Sequence, residues 1–361
     1  MRVLSLMDAT NWATLIYAHG SNVPATRDSS NDPFQYLSLK ELAKSTSRSV
    51  ANPMYSNFLS YYNDKHYADS AMELVLQGKK WSSVDQRSEV IAIIAVTQIL
   101  YMQIIGELHA AVNMCNKTDP IEGLLFLSTE LNPWDKAAAM IIGSMEGALG
   151  STDSDDGELL WNLANNRAFQ FNTANSDKDV IGGSLSVVNS RLFDLLYAGK
   201  GEMDALDCKN LAATASLIER LINIPVMQSA IKASIEAETS LSDSANLALA
   251  QGEAYTSAIL PVIDTLDKES SELLRENLIV KEQVAPVRDG AQEVSEAFGY
   301  VVANGLQLRC QLLGATAEVD PCVHFGGRQN FSGGEIGARR QRQLVLTVSF
   351  LVTTMAITWM I

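Results

Sequence analysis

Residues 84–115 read VDQRSEVIAIIAVTQILYMQIIGELHAAVNMC, and this stretch decides the fold class. Val90, Ile91, Ile94, Ala95, Gln98, Ile99, Met102 and Ile105 recur at three- and four-residue spacing, which places them on one face of a helix. Thirty-two residues at about 1.5 Å rise make a rod of roughly 48 Å, too long for a strand and right for the spine of a helical body.

The same reading extends outward in both directions. Pro133 opens an amphipathic stretch, Trp134 to Gly147, that closes on glycine. Ser184 to Ala198 follows Gly182-Gly183 and stops at Gly199. Asp204 to Glu238 is long enough for Pro225 to kink or divide it. Asp243 to Leu266 and Ala285 to Leu313 complete the helical segments, and strand signals are sparse. An all-α antiparallel helical bundle is expected.

An imperfect internal repeat runs through this pattern. Trp12-Ala13, Tyr17-Ala18-His19-Gly20-Ser21, Leu42-Ala43 and Arg48 are echoed by Trp134-Asp135, Ile141-Ile142-Gly143-Ser144, Leu163-Ala164 and Arg167, at an offset of roughly 120 residues. The first copy begins almost at Met1, without the helices that precede the second, so the chain is expected to start inside a truncated repeat. No clean signal peptide opens it, because Asp8 and Asn11 interrupt any apolar run. The expected divisions are residues 1–60, the end of a first repeat; 61–317, the helical domain; 318–343, a flexible stalk; and 344–361, a hydrophobic tail.

The tail, Leu344 to Ile361, carries no charge and is just long enough to span a bilayer core. Upstream lie the small residues Ser332-Gly333-Gly334 and a polar spacer with Arg339, Arg340 and Arg342. Small residues, spacer and apolar tail form the pattern of a GPI-attachment signal, with Ser332 and Gly333 as attachment candidates. The alternatives are a cytosolic tail anchor, a single retained span and a core helix. Arginines beside a retained span with an external body would violate the positive-inside rule.

A formal net charge of −15 argues against nucleic acid, which needs clustered Lys and Arg to neutralise phosphates. The four cysteines, Cys115, Cys208, Cys310 and Cys322, form no CxxC pair and allow three disulfide pairings. Asn116 and Asn330 open N-glycosylation triplets, and with the cysteines they favour a secretory route. The acidic loop Gly150 to Gly157 lacks EF-hand spacing and reads as a solvated turn. No GxSxG, HExxH, phosphate-binding glycine loop or Cys-His arrangement is present, so an enzyme is not expected.

Several segments resemble, in order, the algal low-iron-inducible periplasmic (iron-assimilating) protein family, to which the phytotransferrins are related. They are His66-Tyr67-Ala68-Asp69, Gln77-Gly78, Arg87 to Ile91, Glu107-Leu108-His109, Trp134-Asp135 with Gly143-Ser144-Met145-Glu146-Gly147, Leu159 to Arg167, Val188-Asn189-Ser190, Glu253-Ala254-Tyr255 with Ile259-Leu260-Pro261, and Leu308-Arg309-Cys310. The resemblance covers roughly Tyr61 to Gly314. It implies a secreted, membrane-anchored surface or periplasmic protein that binds ferric iron, with carbonate as a companion anion, and passes it to uptake machinery. A surface structural or adhesion module without metal is the alternative.

Ferric iron is hard and takes carboxylate, phenolate and some imidazole ligands. The candidates are Tyr67, with His66 beside it, and Glu107, His109, Asp135, Glu146, Glu253 and Tyr255. Arg87 is the candidate for a planar oxyanion such as carbonate, which guanidinium grips bidentately. Asp135 and Glu146 lie about three helical turns apart and cannot chelate one ion together. Glu107 with His109, and Glu253 with Tyr255, are two apart and point to different faces of their helices.

Overall fold

The structure is a computed structural model that describes residues 14, 17–18, 38–45, 53–117, 132–143, 159–175, 186–240, 243–280 and 287–325. The helices are α1 Leu39–Ser45, α2 Pro53–Tyr62, α3 Tyr67–Leu76, α4 Val84–Ile94, α5 Tyr101–Lys117, α6 Pro133–Ile142, α7 Leu160–Gln170, α8 Val187–Asp204, α9 Cys208–Leu221, α10 Asn223–Thr239, α11 Asp243–Leu266, α12 Lys268–Leu278 and α13 Ala291–Tyr300. Among the described residues the β pairing is an isolated bridge between Ala174 and Ser186, so the chain is all-α, as the periodicity requires.

The rod at residues 84–117 is continuous, but Ala95–Leu100 between α4 and α5 is a π-helical segment. Val96, Thr97, Gln98 and Ile99 are buried there in succession, which a simple one-face pattern does not anticipate. By length and composition the rod could cross a bilayer, yet 61% of its most apolar window is buried inside the protein. It packs as a spine, α4 against α11 and α5 against α6 and α9.

α10 lies at the centre. Asn223, Ile224, Pro225, Val226, Met227, Gln228, Ser229, Ala230 and Ile231 are buried in an unbroken run, so this helix has no solvent face over that length. Pro225 divides the long Asp204–Glu238 segment by standing in the first turn of α10, where an N–H would have no helical partner. The polar groups buried with it are paired. Tyr101 donates to Asn223 Oδ1 (3.0 Å), and Gln228 Nε2 donates to the Leu313 carbonyl (2.9 Å).

Three boundaries differ from expectation. The Trp134 helix ends at Ile142, because Gly143 adopts φ 81°. α8 runs through Gly199 to Asp204. Gly199 is a packing residue and not a stop: a Cβ there would lie 1.9 Å from Cζ2 of Trp134. The segment from Glu318, expected to be a stalk, belongs to the folded body as far as Phe325. Val319 and Cys322 are buried, and the Thr316 and Val319 backbones close a turn.

The cysteines pair Cys115 with Cys208 and Cys310 with Cys322, which settles the choice among three. One hydrophobic core runs from Tyr17, Ala43, Tyr55 and Phe58 through to Val319, so the described part of residues 1–60 packs with the main body. The apolar tail, Ser332, Gly333, Asn330, Glu146 and the acidic loop at 150–157 lie outside the described residues.

Candidate functional site

A cleft of about 250 Å³ opens where the α2–α3 corner, the α3–α4 loop, the rod and α11 meet. Its aromatic wall is set by the tight corner after Tyr62, where Asn63 takes φ 50°. Asp64 holds the corner by accepting from the His66 N–H (2.8 Å) and the Ser70 hydroxyl (2.6 Å). Those bonds, the Ser70 hydroxyl first, keep the Asp64 carboxyl below its ordinary pKa. The corner stacks Tyr62 on Tyr67, with ring centroids 5.4 Å apart and planes 14° from parallel, while Phe58 packs on Tyr67 from another side.

Tyr67 is 5% exposed, lines the cleft, and its hydroxyl is buried with no hydrogen-bond partner. An unpaired buried hydroxyl costs free energy that a ligand would restore. Burial is the chief cause that pushes the Tyr67 phenol well above its ordinary pKa.

Tyr62 reaches the opposite wall and donates to the carbonyl of Ser257 in α11. That acceptor exists because Pro261 stands inside α11 and has no N–H to return to the carbonyl four residues earlier. Glu253, one turn before Ser257, is 3% exposed. It pairs with the Lys80 ammonium and accepts from the Val280 N–H (3.3 Å). Burial raises the Glu253 pKa above the usual carboxylate range, and Lys80 opposes that push. Lys80 sits in a loop bent by positive φ at Gly78 and Trp81, with its Nζ 5.9 Å from the Trp81 ring centre. Gln98 of the π-helical segment completes the floor. π-Helical turns concentrate at functional sites because they re-aim side chains.

Of the residues singled out from sequence, Tyr67 and Glu253 share this cleft. The others are placed elsewhere. His109 faces Glu219, with Nε2 3.0 Å from Oε1, and that bond raises the imidazole pKa. Asp135 lies 3.6 Å from the Lys200 ammonium, and burial lifts its pKa against that pull. Glu107 accepts from Gln103 one turn back (3.0 Å). Tyr255 points away from Glu253, as their spacing requires, toward Ser229 and Arg167; burial raises its phenol pKa. Glu107, His109, Asp135 and Tyr255 are thus not brought to the cleft, because their helices turn them toward other neighbours, and Glu146 lies outside the described residues. Among the described residues no three His, Cys, Asp or Glu side chains form a group able to hold a metal ion. Arg87 lies beside Gly78, one turn before the cleft residue Val90, and its Nε is buried without a partner. Asn116 is exposed at the end of α5, next to the Cys115–Cys208 bridge.

Sequence reasoning passed over Tyr62, Asp64, Lys80, Trp81 and Gln98. Pro261 inside an otherwise helical pattern was the usable signal, since it marks an open carbonyl at Ser257 that some donor must meet. No protein-family model, curated protein or solved structure matches the chain.

Proposed function

We propose that the protein captures ferric iron at a cell surface or in a periplasmic space and holds it for uptake machinery, with the α2–α3/α11 cleft as the cargo site. The observation that carries this is that Tyr67, whose buried hydroxyl has no partner, and the acid Glu253 line the same cleft. Phenolate and carboxylate oxygens are what a hard trivalent cation selects. The resemblance of the Tyr67 and Glu253 segments to iron-assimilating proteins points the same way. Carbonate is the expected companion anion, and Arg87, with its buried and unpartnered Nε, is the group to receive it. Two disulfides that use all four cysteines fit an oxidising compartment, and the uncharged Leu344–Ile361 run would tether the body to a membrane.

The test is the full chain in detergent, loaded with ferric iron in carbonate buffer and with small oxygen chelators, then passed through gel filtration with iron measured in the protein peak. One iron per chain, lost in Tyr67→Phe, is the expected result. An iron-free peak in every arm overturns the reading. The alternative, a surface structural module, draws on the pairing of His109 with Glu219 and of Asp135 with Lys200, which gives those groups a purely architectural task. It is favoured if Tyr67→Phe changes stability and leaves the metal content at zero in both proteins.

A further inference from the structure

Asn116 opens the triplet Asn116-Lys117-Thr118, the acceptor pattern for N-linked glycosylation. Asn116 is exposed in the last turn of α5, with Asn113 and Lys117 exposed beside it. Its neighbour Cys115 is 4% exposed and bonded to Cys208, the first residue of α9. Cys208 is partly exposed, and Asp207, Lys209 and Asn210 around it are exposed. The surface about the bridge is thus polar and open, which suits a bulky, solvated sugar. The order of synthesis suits it too. Cys208 follows Cys115 by 93 residues, so at about 5–20 residues per second it is made roughly 5–20 s later. For that interval Asn116 stands in a chain that cannot yet close the bridge, and the triplet is free to extend into a transferase site.

We infer that Asn116 carries an N-linked glycan and that this glycan covers the Cys208 side of the Cys115–Cys208 bridge; the inference rests on the secretory placement proposed above and not on the iron cargo. The donor class is a lipid-linked oligosaccharyl diphosphate. In the transfer step Asn116 Nδ2 forms a bond to the anomeric carbon of the first sugar, as the bond from that carbon to a diphosphate oxygen breaks. One Nδ2 proton goes to a base, and the lipid diphosphate leaves with the bonding electron pair. Nothing is oxidised or reduced. The Cys115 and Cys208 Cα atoms are 5.5 Å apart, and consecutive Cα atoms about 3.8 Å, so the Asn116 Cα lies within roughly 9 Å of that of Cys208. Thiol–disulfide exchange needs an attacking thiolate to reach a sulfur. Cys115 is buried, so Cys208 carries the open sulfur, and a sugar chain rooted at residue 116 stands across the approach to it.

The experiment expresses the full chain behind a cleavable signal sequence in cultured eukaryotic cells. Peptide N-glycosidase then converts each glycosylated asparagine to aspartate, which mass spectrometry of the peptides locates. Asn116 should be converted, and Thr118→Ala should abolish the conversion while leaving Asn116 itself in place. In the folded protein Thr118→Ala should also let dithiothreitol open Cys115–Cys208 about threefold faster, with Cys310–Cys322 as the internal reference at an unchanged rate. A lumenal chain with both disulfides formed and Asn116 unmodified overturns the inference and leaves the placement standing. A chain that reaches the lumen and keeps free thiols overturns both. A glycan at Asn116 with no change in the opening rate overturns the covering role.

Discussion

The hydroxyl of Tyr62, at the end of α2, donates to the carbonyl of Ser257, and that carbonyl is open because Pro261 lacks the N–H that would otherwise close the helical bond. Tyr62→Phe should therefore cost about 1–2 kcal/mol by leaving a buried acceptor unpaired. Adding Pro261→Ala restores a backbone N–H, so it should recover most of that loss in the Tyr62→Phe background and little in the wild-type chain. A double-mutant cycle by urea unfolding measures the coupling; additive effects would show that proline and tyrosine are independent.

Gly199 admits the Trp134 ring against the backbone of α8, and the Trp134 indole N–H donates to the Leu196 carbonyl nearby (2.9 Å). Gly199→Ala should destabilise the protein by about 3 kcal/mol, because neither the ring nor the helix can yield without breaking that bond. A gain in stability, as expected for alanine in an open helix, would contradict the packing described.

The two disulfides close loops of different length, with sequence separations of 93 and 12. On the chain-entropy account Cys115→Ser with Cys208→Ser should cost about 4.5 kcal/mol, and Cys310→Ser with Cys322→Ser about 3 kcal/mol. Guanidinium midpoints of the two double variants test the order.

His109 gains a hydrogen bond from its imidazolium to Glu219, which raises its folded pKa above the unfolded value. The stabilisation is thus complete below about pH 6.5 and disappears as pH rises through the folded pKa. With the pair partly open to solvent, His109→Gln should cost roughly 1 kcal/mol at pH 5 and almost nothing at pH 9. Equal losses at both values would place the role of His109 in packing.

If the cleft takes iron as proposed, binding should tighten as pH rises. Burial holds the Tyr67 phenol well above its ordinary pKa, so a metal bound there would displace its proton. About one proton should be released per iron from this group, giving roughly a tenfold gain in affinity per pH unit. Titrations in buffers of different ionisation enthalpy count the protons.

The spine, the Asp243–Leu266 helix and the all-α class were legible because period 3.6 survives in long apolar segments. The π-helical turn was not, since Val96, Thr97, Gln98 and Ile99 are all buried, so apolar and polar residues show no phase there. Gly199 read as a stop because a glycine's local meaning and its packing meaning look alike in one sequence. For the site, two of the candidate ligands named from sequence, Tyr67 and Glu253, line one cleft, while Lys80 and Tyr62 beside them were missed. Their partners lie 173 and 195 residues away, and no local spacing encodes which helices meet.

The Cys310–Cys322 bridge gives the folded body a mechanical terminus. Gly299 allows the Pro321 carbonyl to nest against α13, and the next residue is covalently tied back to Cys310. Tension applied to the chain beyond Phe325 reaches that bond as soon as the short turn Val323–Phe325 gives way. It is relayed directly to Cys310, bypassing residues 311–321. Peeling from this end must therefore begin by pulling on the turn after α13, and resistance to force would fall abruptly on reduction of a single bond.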